Sequence, residues 1–486
     1  MEAFTTAYAG KNVFFFHTLG GDEDVPNVHF KKHYRLGYPV VSDNLDRVRH
    51  IIRVTGITNV AVFGDDGVCV YNESFMGEGD AAAAFRSAID GALAKCTGPN
   101  RRGDAFLDGG TVYAPEVKSQ GKIIHERMPA LTAGPDGELH LAYVSDEAGS
   151  NDVVLRSYRR GKWGDSASVA ATKSDEYAPT VVAVADGVAM VAYVSDEGGK
   201  YDIHSAVVEG RKARKRLRVT RSKDDAMAPV LCRVSKSDVW VAWYEWAKMG
   251  ALSRDREVFV ARLASSAWSK PIQVSPREVP TYEDHADPVI AADGKGGAWI
   301  AWAWDYHGTL KTKVPVDENS IFARHFDRAM KTDDVLAVGF RGEGRARDYC
   351  PSLAVAADGT PWVAWDNSHK ASLGYDAKAI FANRILGGDF GEQFEVAASK
   401  GPVDSPRLVP HSNGTLAVVW CQETDGEWSL QVRELGKDGP AAAKKIEVEG
   451  TQPRYPSACR DSEGKLWIAY VDVAPARWTV RVTAVE

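Results

Sequence analysis

The sequence predicts a mainly β chain in which one four-stranded unit recurs seven times behind a small α/β segment, and three observations carry that expectation. The phrase "PDGELHLAYVSDEAGSNDVVL" at 135–155 returns as "ADGVAMVAYVSDEGGKYDIHS" at 185–205, and in looser form five more times. A proline opens each unit, at Pro129, Pro179, Pro229, Pro288, Pro351, Pro406 and Pro456, with spacings of 50, 50, 59, 63, 55 and 50 residues. Repeats of this period mark units that cannot bury their apolar faces alone and must stack on one another.

Each proline is followed by a short apolar strand, a turn and a second strand: "LHLAYV", "AMVAYV", "VWVAWY", "AWIAWA", "PWVAWD", "LAVVWC" and "LWIAYV". Their Ala, Val and aromatic content suits strands buried on both faces between stacked sheets. Third strands follow, such as "DVVLRSY" and "EVFVARL", then a more polar fourth such as "RLRVT" or "FEVAA". The seventh unit ends after its third strand, at "RWTVRVTAVE", whereas "GKIIHE" at 121–126 has no unit of its own. Pairing of 121–126 with the last unit would close the ring and leave no open sheet edge. The expected architecture is a seven-bladed β-propeller over 119–486, with 101–118 as a linker and 1–100 as a separate α/β domain.

The blade phrase, through Asp136, Gly137, Ser145, Asp146 and Asp152 and again through Asp186, Gly187, Ser195, Asp196 and Asp202, resembles the repeats of bacterial TolB-like propellers. The later units keep an acid near the same turn, at Glu245, Asp305, Asp366, Glu423 and Asp472, but lose the serine, so the likeness is to the blade type. In the first hundred residues, strand and helix patterns alternate from "KNVFFFHT" to "DAAAAFRSAIDGALAK", with Asp66 and Gly67 as a hairpin turn. Residues 11–97 resemble the back half of a thioredoxin-like, redoxin-type domain. The opening strand and helix that carry its redox cysteines would lie before Met1, and Thr58 and Asn59 stand where that family places a cis-proline.

Cys69, Cys96, Cys232, Cys350, Cys421 and Cys459 stand singly, without CxxC or zinc-ligand spacing. Dithiol catalysis needs a low-pKa thiolate with a resolving partner, so redox activity is not expected. A net charge of -7 and a pI near 6.0 argue against nucleic acid as partner. The basic run "RKARKRLR" at 211–218 reads as a solvated loop. No stretch reaches the roughly 18 apolar residues of a membrane span. No secretory signal is visible at "MEAFTTAYAGK"; an exported or periplasmic location is the expectation only if the N-terminus is clipped.

Antiparallel connectivity puts the loop after each second strand on the same face as the segment leading to the next proline. Long insertions gather there: "EWAKMGALSRDRE", "WDYHGTLKTKVPVDENS" and "NSHKASLGYDAKA", with the lead-ins "TYEDHADP" and "RARDYCP" read as loops. Long loops on a rigid scaffold are where binding is expected. The candidate ligand-binding residues on that face are Trp246, Asp284, His285, Trp304, Asp305, His307, Asp348, Tyr349, His369, Arg454 and Tyr455. Acids, imidazoles and aromatic rings together can grip a sugar or peptide, hold a cation or move protons.

Asp146, Asp196 and their equivalents recur in every unit and read as turn caps. His140, His204 and His325 lie inside strands and read as satisfied histidines. His285, His307 and His369 are the better functional candidates, because the repeat does not ask for them. No two share a short ligand spacing, so no metal site or cofactor is expected, and a divalent cation at this face has only Asp284 and Asp305 beside the histidines to recommend it. GxSxG, HExxH and phosphate-loop motifs are absent. The leading expectation is a non-enzymatic binding or scaffold protein that takes a protein partner or a glycan. The alternative is a polysaccharide-active enzyme, a glycoside hydrolase or lyase, with His285, His307, Asp305 and Tyr349 as its catalytic set at the channel mouth.

Overall fold

The computed structural model describes residues 124–485 apart from short segments, the longest being 277–282, 307–318, 339–347 and 368–378, together with the backbone of four short strands nearer the N-terminus. The chain divides into two compact units. In the first, His17–Gly20 pairs in parallel with Val40–Asp43, and Asn59–Phe63 pairs antiparallel with Cys69–Ser74. The helical stretches on which the thioredoxin-like resemblance rests, and the linker 101–118, lie outside the described residues.

The second unit is a seven-bladed β-propeller. Its first strands are Glu126–Ala133, Glu176–Ala185, Ala226–Ser235, Glu283–Ala292, Asp348–Val355, Val403–Pro410 and Pro453–Arg460. Each heads its own antiparallel sheet. Each also packs against the first strand of the next blade, and the last against the first, so the seven line a central channel.

The second strands are Leu139–Ser145, Val188–Ser195, Asp238–Met249, Ala298–Tyr306, Pro361–Asn367, Leu416–Thr424 and Leu466–Val473. Their alternation of a small residue with an aromatic one makes the seams. Tyr193 shares a core cluster with Ala142 of the blade before it, Trp365 with Ala301, Trp420 with Ala364, and Tyr470 with Val419. At the closing seam Tyr143 of blade 1 packs with Ala469 of blade 7. A large ring set against a residue that carries only a methyl group fills the gap between twisted sheets at near-crystalline density.

The opening proline does not begin its strand. In every blade the residue before it has a left-handed backbone: Met128, Ala178, Ala228, Asp287, Cys350, Ser405 and Tyr455, with φ between 45° and 56°. The pairing register slips at each of these points. Proline has no N–H to give to the second strand, so the ladder is interrupted there and an extra residue bulges out. The lead-ins before Pro288 and Pro351, expected as loops, are therefore partly strand, in Glu283–Ala292 and Asp348–Val355.

A left-handed backbone costs an L-residue roughly 1–2 kcal/mol, and most when the side chain is β-branched. Ala228→Gly is expected to leave stability unchanged to within about 0.5 kcal/mol, as relief of strain offsets the greater freedom of the unfolded chain. Ala228→Val is expected to lose about 2 kcal/mol or more. Urea unfolding of the two variants checks both.

Hydroxyls just after the proline tie some blades together. Thr180 Oγ1 accepts from Leu231 N at 3.1 Å, Ser352 Oγ from Leu408 N at 2.9 Å, and Ser457 Oγ from Leu131 N at 2.9 Å, the last across the closing seam. Six blades carry a fourth, outer strand; the seventh has three among the described residues. Of the closing strand expected at 121–126, residues 121–123 lie outside the described residues and Glu126 belongs to the first strand of blade 1. Its carboxylate still reaches the last blade, where Val480 N donates to Glu126 Oε2 at 3.1 Å.

The basic run at 211–218 is not a loop, because Lys212–Arg218 forms the outer strand of blade 2. Its arginines pair with acids of the same blade, Arg214 with Glu209 at 3.1 Å, Arg216 with Glu197 at 2.5 Å and Arg218 with Asp202 at 2.5 Å. A charged outer strand keeps a sheet edge from pairing with another chain.

Candidate functional site

The candidate residues belong to the blade ends where first strands begin and second strands finish. Blade 4 sets Asp284 opposite Asp305 and His285 opposite Trp304 in register, while blade 5 sets Asp348 opposite Asn367 and Tyr349 opposite Asp366. Arg454 and Tyr455 hold the equivalent positions in blade 7, and Trp246 lies near the end of the long second strand of blade 3. His307 and His369 lie outside the described residues, as do the side chains of Asp284 and Asp305.

His285 is 0% exposed. Trp302 Nε1 donates to its Nδ1 at 3.0 Å, and the Trp304 ring lies 4.7 Å from it, centroid to centroid. The repeat does ask for a residue here. Three positions before the proline stand Glu126, Glu176 and Asp348 in other blades, and Glu126 hydrogen-bonds the seam tyrosine of its own blade, Tyr143. Elsewhere that need is met differently: Trp243 Nε1 donates to Glu245 Oε1 at 2.9 Å, Trp420 Nε1 to Gln422 Oε1 at 3.4 Å and the Tyr470 hydroxyl to Glu449 O at 2.7 Å. A buried indole N–H needs an acceptor, and in blade 4 imidazole supplies it. His285 and Trp304, 3% exposed, are thus seam residues.

Asp348 is likewise buried, with Asn367 Nδ2 donating to its Oδ1 at 2.5 Å. The recurring acids, expected as caps of their own turns, bind segments distant along the chain: Asp196 Oδ1 accepts from Asp175 N at 3.1 Å, Asp366 Oδ2 from Ser405 N at 3.4 Å and Asp472 Oδ1 from Gln452 N at 3.3 Å. Of the strand histidines expected to be satisfied, His140 has one ring nitrogen, Nε2, buried with no hydrogen-bond partner. His140 Nδ1 meets Ser157 Oγ at 2.9 Å, and His325 lies between Asp293 and Asp333 at 3.0 and 3.2 Å.

Two clusters at this end combine guanidinium and aromatic faces. The Arg454 guanidinium lies 3.5 Å from the Trp428 ring centroid and 5.4 Å from that of Tyr455. In blade 3, Arg256 lies 5.4 Å from the Tyr244 centroid and 5.5 Å from that of Trp246, whose Nε1 donates to Met227 Sδ at 3.3 Å. Stacking of this kind orients a guanidinium, whose planar fork matches the geometry of planar anions. Between blades 1 and 2, Arg127 Nη2 donates to Asn151 Oδ1 at 2.7 Å, and Asn151 Nδ2 donates to Asp175 Oδ1 at 3.1 Å and to the Tyr177 hydroxyl at 3.2 Å.

Trp428, Arg256 and Arg127 escaped the sequence reading. The available signal was positional, since Arg127 and Arg454 stand two residues before their prolines in adjoining blades. Among the described residues no group of three or more His, Cys, Asp or Glu side chains is placed to hold a metal. A cavity of about 590 Å³ opens at the opposite end of the channel, bordered by Thr132, Ala183, Arg233, Arg460, Asp461 and Ser462. The insertions expected on the other face lie mostly outside the described residues.

No family model matches the chain, and no curated protein matches it in sequence. Solved structures do. An ulvan lyase, reported as a new family of polysaccharide lyase, is 10% identical with a TM-score of 0.52, over 74% of this chain and 96% of its own. The same enzyme bound to -[GlcA(1-4)Rha3S]- gives 0.53, with the same identity and coverage. An α-L-arabinanase of Penicillium chrysogenum complexed with arabinobiose is 12% identical over 74% of this chain and 93% of its own, with a TM-score of 0.42. The likeness to the lyase supports the fold, a propeller.

Proposed function

We propose that this protein acts on an acidic polysaccharide, which it takes at the propeller end where the first strands begin. The observation that carries the reading is the Arg454 guanidinium stacked on Trp428 beside Tyr455, with a second such cluster at Arg256, Tyr244 and Trp246. Aromatic faces suit the C–H faces of sugar rings, and a stacked guanidinium suits a uronate or sulfate group. The ulvan lyase solved with an acidic oligosaccharide supports cleavage over simple binding. In that reading Arg454 binds the acidic group and Tyr349, half-buried at the same end, is the proton-moving candidate.

The second reading, a TolB-like scaffold that holds a glycan or protein without cleaving it, is favoured by one observation. His285, a member of the expected catalytic set, is sealed in a seam. Incubation with uronate-containing and sulfated polysaccharides separates the two. Cleavage is expected to raise reducing ends, with ultraviolet absorbance from a new C=C bond if the C–O bond breaks by elimination and none if it is hydrolysed. Retarded migration of the polysaccharide without new ends would leave the scaffold reading. Neither binding nor cleavage of any acidic glycan would overturn the proposal.

A further inference from the structure

Beneath the Arg127–Asn151–Tyr177 network lies a buried pair of carboxyls that the proposed function does not use. Glu176, in the first strand of blade 2, is 0% exposed, and Asp152, at the start of the third strand of blade 1, is 5% exposed. Thr172 Oγ1 donates to Glu176 Oε1 at 2.7 Å, while Oε2 is sealed with no hydrogen-bond partner. The Asp152 carboxyl interacts with Glu176 across the seam and accepts from Ser150 Oγ at 3.2 Å. Arg216, the cation acting on Glu176, is engaged at 2.5 Å by Glu197 at the rim. Arg127 stands one hydrogen bond away, on Asn151, and Tyr193 and His204 carry no charge at neutral pH. Burial pushes the Tyr193 hydroxyl up to about 12 and, together with Arg216, the His204 imidazole down to about 4, and Asp175 adds a further negative charge on the Asp152 side.

Two adjacent carboxylates cannot both ionise in such a place, because neither hydration nor a committed counter-ion compensates the second charge. We propose that Glu176 and Asp152 share one proton across the seam between blades 1 and 2, and that its loss at alkaline pH unlatches this seam under the channel mouth. The backbone completes the latch. Glu176 N donates to Asn151 O at 2.7 Å, so the segment that positions the Arg127 partner is the one on which Asp152 sits.

Burial, the largest cause, pushes the Glu176 carboxyl from 4.5 up to about 8. A carboxyl whose folded value is raised binds its proton more tightly in the native state. Its stabilising contribution is therefore full below the unfolded value and is lost as the pH climbs through about 8. The inference does not depend on what the protein binds.

The test is the thermal midpoint of the full chain from about pH 5 to about pH 9.5, for the wild type and three near-isosteric variants. The wild type should lose stability from the acid end up to about pH 8 and level off above it, and Glu176→Gln should lack that component, the two curves lying closest at the acid end. Asp152→Asn should move the loss to lower pH by removing the neighbouring charge. Thr172→Val should move it to higher pH, because the hydroxyl favours the ionised form. Parallel curves for wild type and Glu176→Gln would overturn the proposal. If that variant does not fold, a loss that stays in place in both Asp152→Asn and Thr172→Val would do the same.

Discussion

Trp302→Ala is expected to destabilise the propeller by about 3–5 kcal/mol, enough to consume a large part of an ordinary domain's stability. Trp302 is fully buried, lies 6.2 Å from Phe322 between ring centroids, and donates to His285. Truncation would remove the largest side-chain type from a close-packed seam and deprive a buried imidazole of its donor. His285→Ala should cost about 1–3 kcal/mol, chiefly through the indole N–H left without an acceptor. In the double variant the loss should fall short of the sum by about 1 kcal/mol, since each partner's penalty presupposes the other. Urea unfolding of the four proteins measures this cycle. An His285→Ala protein of unchanged stability would show that the histidine is not the seam residue described above.

Arg454→Ala is expected to weaken binding of an acidic polysaccharide by about 10–100-fold, the range for losing one charge-assisted, well-oriented contact. Arg454→Lys should retain part of the affinity, because an ammonium keeps the charge but neither the planar stack on Trp428 nor the two-pronged edge. Arg454 is only 9% exposed, so Arg454→Ala will also lower stability, and binding should be compared well below the unfolding temperature. Wild-type affinity should fall with added salt as charges are screened, while that for a neutral glycan should not. Affinity electrophoresis at two ionic strengths reads all of these; an Arg454→Ala protein that binds acidic polysaccharide as the wild type does would remove Arg454 from the site.

The ring was largely legible before any coordinate. The proline ruler counts blades because each proline interrupts one ladder, and the Ala–aromatic alternation of the second strands is the seam packing written out in order. The acids that do cap their own turns stand at the other end of the strands. Asp293 Oδ1, for instance, accepts from Gly297 N at 2.9 Å, and Asp461 Oδ1 from Glu463 N at 3.0 Å, each within a few residues. The bulges were not legible. Met128, Ala178, Ala228, Asp287, Cys350, Ser405 and Tyr455 have no side-chain chemistry in common, and what unites them is a backbone angle imposed by the next residue and the facing strand.

The sequence could single out candidate residues but not show what surrounds each. His285 looked free of the repeat because its equivalents are Glu126, Glu176 and Asp348, and one letter cannot show that it accepts from a buried indole. Trp428, which gives Arg454 its geometry, belongs to the preceding blade. Glu176 and Asp152 are 24 positions apart in different sheets, and neither is unusual alone.

Alone, the order of residues determined how many blades there are, where each turns and which strands are buried, since those properties rest on contacts between near neighbours and repeat with a period. Tertiary structure decided which polar groups are sealed, which guanidinium meets which ring and which carboxyls face each other. Those relations arise where two separately folded blades press together, and a meeting across a seam leaves no periodic trace in the chain.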